Sequence, residues 1–231
     1  MDYFTNSLSG AFALIISFDP TIYQIVFTSV AISVTASFIA AALAIPSGVA
    51  MALNQFKGKA FLQHILNTLM AMPTVVIGLL LYGLFSRLGP LGQFGILYSP
   101  LAVIIAEAVL IFPIMMNLAI TAVNSADSRL VPTLVSLGAR PFPLAIQVIR
   151  ATRYAMLAAV ITGFGRAIGE VGAAMMLGGN IAGSTRTMTT AIALETSKGE
   201  FELGLALGLI LLLIAFILNI SLSLLNRPAH D

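Results

Sequence analysis

The sequence predicts an all-α, polytopic membrane protein, and three observations carry that prediction. Hydrophobic residues fill 59% of the 231 positions and charged residues only 9%, against about 25% in ordinary soluble domains. Mean hydropathy is +1.03. Several apolar runs reach or exceed the roughly twenty residues that cross a bilayer as a helix. A single membrane domain over residues 1–231 follows, because no polar stretch is long enough to hold a second core.

Taken in order, the apolar piece 8–18 is eleven residues long, too short to span, and is expected at the membrane interface. It lacks the basic start of a cleaved signal peptide. The first span, 22–53, carries no charge over thirty-two residues, so tilt or a kink at Pro46 and Gly48 must absorb the excess length. The second, 61–86, follows Lys57 and Lys59 and is interrupted by Pro73. The third, 99–123, contains Glu107 and Pro113, the fourth, 154–177, contains Arg166 and Glu170, and the fifth is 203–225.

Between the third and fourth spans lies a polar interruption, 124–153, holding four of the eleven basic residues. Two short helices are expected there, about 125–137 and 143–150. Gly138 is free to take the left-handed conformation that closes the first, and Pro141 keeps Arg140 out of the helical region. The result is a knuckle on the membrane surface, read either as a rigid docking element or as an ordinary interhelical loop.

Five spans place the termini on opposite sides. Lys57, Lys59, Arg129, Arg140, Arg150, Arg153 and Arg227 fall on one face, and Arg87, Arg186 and Lys198 on the other. Seven against three puts the knuckle and the C-terminus in the cytoplasm and the N-terminus outside. The net charge of +2 comes without interleaved aromatics, which excludes a nucleic-acid surface. Absence of cysteine excludes disulfides and thiol chemistry. The two histidines stand too far apart to share a metal.

Ionisable groups inside spans cost about 2.5 to 3.5 kcal/mol each on insertion scales, so Glu107, Arg166 and Glu170 each need an account. Counting along antiparallel spans brings the three within about 6 to 8 Å of one another along the membrane normal. Arg166 and Glu170, at i and i+4, form an intramembrane charge pair. That pair reads first as mutual neutralisation within the bundle and second as transport machinery. Glu107 is then protonated or turned away from any anion path.

The small residues of the fourth span, among them Gly163, Gly165 and Gly169, suit close helix packing and equally a pore-lining helix that shifts. With the Pro73 break they make Pro73, Thr74, Gly165 and Gly169 the candidate pore or gate residues. The segment 178–199 reads as a solvated outer loop rich in hydroxyls. A second reading makes Asn180, Arg186 and Thr187 a vestibule, since arginine and hydroxyl donors suit tetrahedral oxyanions.

At these residues the chain resembles a known family, the permease subunits of type I binding-protein-dependent ABC importers in the molybdate, tungstate and sulfate group. That family's cytoplasmic signature is Glu-Ala-Ala, three residues, Gly, nine residues, then Ile-x-Leu-Pro. Gly138 falls on its glycine, with Pro132, Thr133 and Leu134 where Glu-Ala-Ala would stand, and Val148, Ile149, Arg150 and Ala151 where Ile-x-Leu-Pro would. The stretch MPTVVIGLLLYGLF is similar to the family's second-span proline segment, and GRAIGEVGAAMMLGGNIAGSTRTM to its Arg-x-x-Gly-Glu-x-Gly-Ala stretch. The details resemble tungstate permeases most.

What the resemblance implies is an oxyanion importer subunit, not an enzyme. It implies a homodimer, two cytoplasmic ATPases that hold ATP and Mg, an extracytoplasmic binding protein that delivers the oxyanion, and no cofactor on this chain. Leu134, Ser136, Leu137, Gly138, Ala139 and Arg140 would then couple to the ATPase. No Gly-x-x-x-x-Gly-Lys-Ser/Thr run occurs in the sequence, which agrees with hydrolysis on a partner. Two other classes stay open: a proton-coupled carrier acting alone, and an intramembrane enzyme using Glu107 or Glu170.

Overall fold

The computed structural model describes residues 2–225; Arg227, counted in the charge asymmetry, lies outside the described residues. The helices are α1 (Asp2–Ile16), α2 (Pro20–Leu53), α3 (Lys59–Met70), α4 (Thr74–Phe85), α5 (Pro100–Asn124), α6 (Leu130–Ser136), α7 (Pro141–Ala151), α8 (Arg153–Ile168), α9 (Gly172–Gly178), α10 (Met188–Lys198) and α11 (Phe201–Leu225). No strand occurs among the described residues. Helices α2, α5 and α11 are long and apolar enough to cross a membrane, and five such units result if each of two bent pairs counts as one.

Helix starts follow capping chemistry. Asp19 Oδ1 accepts the backbone N–H groups of Thr21 at 2.8 Å and Ile22 at 3.3 Å, with Pro20 in the first helical position, where its missing N–H is no loss. Ser99 before Pro100 opens α5 in the same way. Both pairs fix where long apolar helices begin.

The structure corrects several sequence expectations. The stretch 61–86 is not one rod, because α3 and α4 meet at 98°: Pro73 disfavours the helical region for Met72 and offers no N–H to continue the ladder. The stretch 154–177 is likewise divided, α8 ending at Ile168 and α9 starting at Gly172. The knuckle's first helix starts at Leu130, not 125, since Asp127 Oδ1 accepts the N–H of Arg129 at 2.8 Å and holds a turn there. The segment 178–199 is no solvated loop: it contains α10, whose Met188, Thr189, Thr190, Ala191 and Glu195 are buried. The piece 8–18 belongs to α1, which docks on α11 with Ala11 packed among Ala206 and Leu207.

Helix α5 is the central element, and α2 runs beside it in the same direction. Ile32 packs with Val103 near one end, and Val49 with Ala119 near the other. Helix α2 is continuous through Pro46 and Gly48. A Cβ on Gly48 would stand 2.8 Å from the Met116 carbonyl oxygen and 2.9 Å from Ala119 Cβ, so its hydrogen lets two backbones touch. The outer side of α11 is bulky and apolar, with Leu212, Leu213, Phe216 and Ile217 exposed.

Gly48→Val is therefore expected to push α2 off α5 and destabilise the detergent-solubilised protein by about 1 to 3 kcal/mol. Gly83→Ala, where nothing lies within 4 Å of the added carbon, is the control. Thermal unfolding of both variants beside the wild type measures the difference.

Candidate functional site

The break between α8 and α9 is built on Glu170. Its carboxylate is buried, with Oε2 accepting from Arg166 Nη1 at 2.9 Å and Oε1 accepting the Ala173 N–H at 3.1 Å. Its carbonyl accepts from Thr189 Oγ1 at 2.6 Å, and its N–H donates to the Ala167 carbonyl at 2.9 Å. One residue thus ends α8, caps α9, ties down α10 and holds the guanidinium. A buried carboxylate that carries its charge is tolerable only when its oxygens are so engaged.

The second helix break lies against the first. A Cβ on Gly172 would be 3.1 Å from Val75 and 3.3 Å from Thr74 Oγ1, and one on Gly78 would be 3.0 Å from Ala173. The structure therefore brings Thr74, next to Pro73, beside Gly172 and the Glu170 carboxylate, whereas Gly169 lines the groove against α11. Gly165 stands apart, exposed one turn back along α8 and facing α11, where Leu218 is 3.7 Å from its Cβ position.

Glu107 is 2% exposed. Its carboxyl meets the Ser33 side chain of α2 and lies within reach of the Glu170 charge. Its Oε2 and the Ser37 hydroxyl have no hydrogen-bond partner.

Sequence reasoning missed the serines. Ser29 Oγ accepts the Met188 N–H at 2.6 Å, joining α2 to the start of α10 across 159 residues. The signal was present as Ser29, Ser33 and Ser37 at four-residue spacing in an uncharged helix.

The segment leading into α10 is organised by hydroxyls. Asn180, at φ +52°, turns the chain back, and its Nδ2 donates to the Thr190 carbonyl at 3.2 Å. Thr185 Oγ1 donates to the Gly178 carbonyl at 2.6 Å and accepts the Ile181 N–H at 3.0 Å. Thr187 and Thr190 form a reciprocal cap at the start of α10, of the kind that satisfies two free N–H groups at once. The Thr187 hydroxyl is buried and engaged with Thr189 and Thr190, so it offers nothing to an oxyanion. Arg186 lies 3.8 Å from Glu195, which Lys198 also meets at 3.0 Å.

The knuckle closes α6 with a left-handed turn. Gly138 has φ +78°, its N–H donates to the Val135 carbonyl at 2.9 Å, and the Ala139 N–H donates to the Leu134 carbonyl at 3.0 Å. This pair of bonds is the Schellman arrangement that ends a helix on glycine. Pro141 then starts α7. Val148 is fully buried with Val49 and Ala119, and Leu134 and Leu144 pack on that cluster. The tip faces outward: Leu137 and Phe142 are each 77% exposed, beside exposed Ser136, Gly138 and Arg140 and half-buried Ala139. Among the described residues no cluster of histidine or acidic side chains is arranged to hold a metal.

Comparison with known proteins agrees with this architecture. The chain is 41% identical over 219 residues to the tungstate uptake system permease protein TupB of Peptoclostridium acidaminophilum, covering 95% of this chain and 96% of that one. It is 40% identical over 173 residues to the TupB protein of Campylobacter jejuni, covering 75% and 72%. A crystal structure of an amino acid ABC transporter with histidines superposes with TM-score 0.67 at 17% identity, covering 94% of this chain and 97% of that one, which shows that the fold is shared. Residues 44–229 match the family described as binding-protein-dependent transport system inner membrane component. The chain belongs to that family and is a multi-pass permease subunit of the ABC importer class.

Proposed function

We propose that this chain is the membrane permease of a tungstate importer, working as a homodimer with two ATPase subunits and an external oxyanion-binding protein. The observation that carries the cargo is the 41% identity to a tungstate uptake permease, which runs over nearly the whole of both chains. ATP and Mg belong to the partner ATPase, and this chain supplies the passage and the docking surface. The excess of basic residues around the knuckle puts it in the cytoplasm, with the N-terminus outside.

The knuckle is the docking surface for the ATPase. Val148 anchors it to α2 and α5, while Leu137 and Phe142 present uncovered apolar surface at the tip. Helix α7 leads through Thr152 alone into α8, which leaves at 76°, so the docked element is joined directly to the helix that carries Arg166. Pro73, Thr74, Gly165 and Gly169 are the gate candidates, the first two at the α3–α4 break and the two glycines along the groove against α11.

Reconstituted with its ATPase, the permease should show hydrolysis and vesicle uptake stimulated by tungstate-loaded binding protein. Equal stimulation by the molybdate-loaded or sulfate-loaded protein would overturn the cargo assignment. The permease without its partners is expected to bind tungstate no tighter than micromolar by calorimetry, because a single ion-paired arginine cannot hold a dianion tightly.

Gly138→Val tests the knuckle. Nothing lies within 4 Å of the added carbon, so the cost is the left-handed backbone itself, about 1 to 3 kcal/mol, enough to redirect α7. The variant should insert in the membrane yet co-purify poorly with the ATPase, or hydrolyse ATP without tungstate stimulation. Wild-type values of both would remove the docking role.

A further inference from the structure

The glutamates of this chain are not equally provided for. Glu170 has the Arg166 guanidinium and the Ala173 N–H. Glu195 lies between Lys198 at 3.0 Å and Arg186 at 3.8 Å, and Glu200 and Glu202 are exposed. Each of these has the counter-ion, donor or water that a negative charge needs. Glu107 has none of them. It is 2% exposed, makes no ion pair among the described residues, and leaves Oε2 without a hydrogen-bond partner.

Its place in the packing explains why. The register between α2 and α5 is set by Ile32 against Val103 and by Val49 against Ala119, which puts Ser37 level with Glu107 and Ser33 one turn earlier. A helical side chain leans toward the N-terminus of its own helix, so the carboxyl reaches the space between the two serines. Ser33 meets it. The Ser37 hydroxyl, on a residue 4% exposed, is a second unpartnered polar group on that face. The buried residues flanking them, Ala36 and Ala40 on α2 and Ala108 and Ile111 on α5, belong to one apolar cluster.

The other elements packed on α5 bring no cation to this place. Across the α8–α9 break the charged group within reach of Glu107 is Glu170, and the Arg166 guanidinium beyond it is bonded to Glu170. Helix α9 contributes no ionisable side chain. Helix α3 meets α5 at Asn117 through Gln63, nearly three turns from Glu107; its Lys59 is bonded to the carbonyls of Ala52 and Asn54, and its His64 is exposed. Helix α4 has no acidic or basic residue, and its Tyr82 lies beside Tyr98 before the start of α5.

An ionised Glu107 would therefore put a full negative charge into apolar packing, near a second carboxylate and with one oxygen bare. A charge so placed neutralises instead of persisting. A carboxylic acid has an O–H to donate, and a serine hydroxyl can accept it, so the two unpartnered groups become complementary once a proton is present.

We propose that Glu107, Ser33 and Ser37 form a buried proton-binding site between α2 and α5, in which the glutamate is held as a neutral carboxylic acid and keeps its proton through transport. The interior charge is then the balanced Arg166–Glu170 pair alone, and no net negative charge inside the bundle opposes a dianion. That consequence rests on the reading of the chain as an oxyanion importer; the proton site does not.

Infrared spectroscopy reads the proton directly. In the complete transporter at neutral pH, with isotope-labelled glutamate in this chain only, the shifted C=O stretch of a protonated glutamic acid should be present. It should vanish in Glu107→Gln and change frequency in Ser33→Ala, which removes the hydroxyl that meets the carboxyl. Glu107→Gln keeps a neutral group of the same shape, so that transporter should take up tungstate within about twofold of the wild type. Absence of the band in the wild type, meaning an ionised carboxylate, would overturn the proposal, and that measurement needs no variant to assemble. So would a band that persists in Glu107→Gln or is unmoved in Ser33→Ala, or one seen only after sodium and potassium are withdrawn, since a metal cation would then hold the site. Loss of most uptake in an assembled Glu107→Gln transporter would overturn it too, because the proton would then be carried. A wild-type transporter that shows the band yet fails to move tungstate would overturn the cargo alone.

Discussion

The engagement of Glu170 is the constraint on which the middle of this protein depends. A charged carboxylate buried in a membrane helix bundle must have its oxygens occupied, and in Glu170 each is occupied by a group from a different neighbour: the Arg166 guanidinium before the break and the Ala173 N–H after it. The helix can stop at Ile168 and restart at Gly172 because this side chain supplies a partner that the interrupted ladder no longer does. The Thr189 bond to the Glu170 carbonyl then fixes where α10 lies.

Irregular backbone at membrane depth is tolerated only when protein groups replace water, and the hydroxyls of this chain have that task. Ser29 receives the Met188 N–H, Thr185 bridges Gly178 and Ile181, and the Thr187 and Thr190 pair closes the start of α10. These are short side chains that need little space, so helices remain close. The same economy explains why α2 and α5 approach at Gly48 while the polar groups between them stay few.

The knuckle and the charged pair stand on one continuous piece of chain. Helix α7 presents Phe142 outward and buries Val148, and after Thr152 the chain becomes α8, which reaches Arg166. The exposed tip of the knuckle and the Arg166–Glu170 pair are thus separated by a single bend and a rigid helix. No long-range network is needed to link them.

Much of this was legible in the sequence because membrane insertion is a composition problem: uncharged stretches of helical length, the cost of Glu107, Arg166 and Glu170 inside them, and the i, i+4 spacing of the last two are properties of the chain read locally. The Schellman turn at Gly138 was equally local, since a glycine before an Ala-Arg-Pro run has few other uses. What only the tertiary structure decided are the relations between distant segments. That the start of α10 is buried and not solvated follows from Ser29 and Glu170 accepting its N–H and hydroxyl, partners that lie 159 and 19 residues away. That Arg166 is partly exposed while Glu107 and Glu170 are buried depends on which helices pack against α8. Hydropathy registers how apolar a segment is but not which side of it faces a neighbour, and that orientation is set by packing alone.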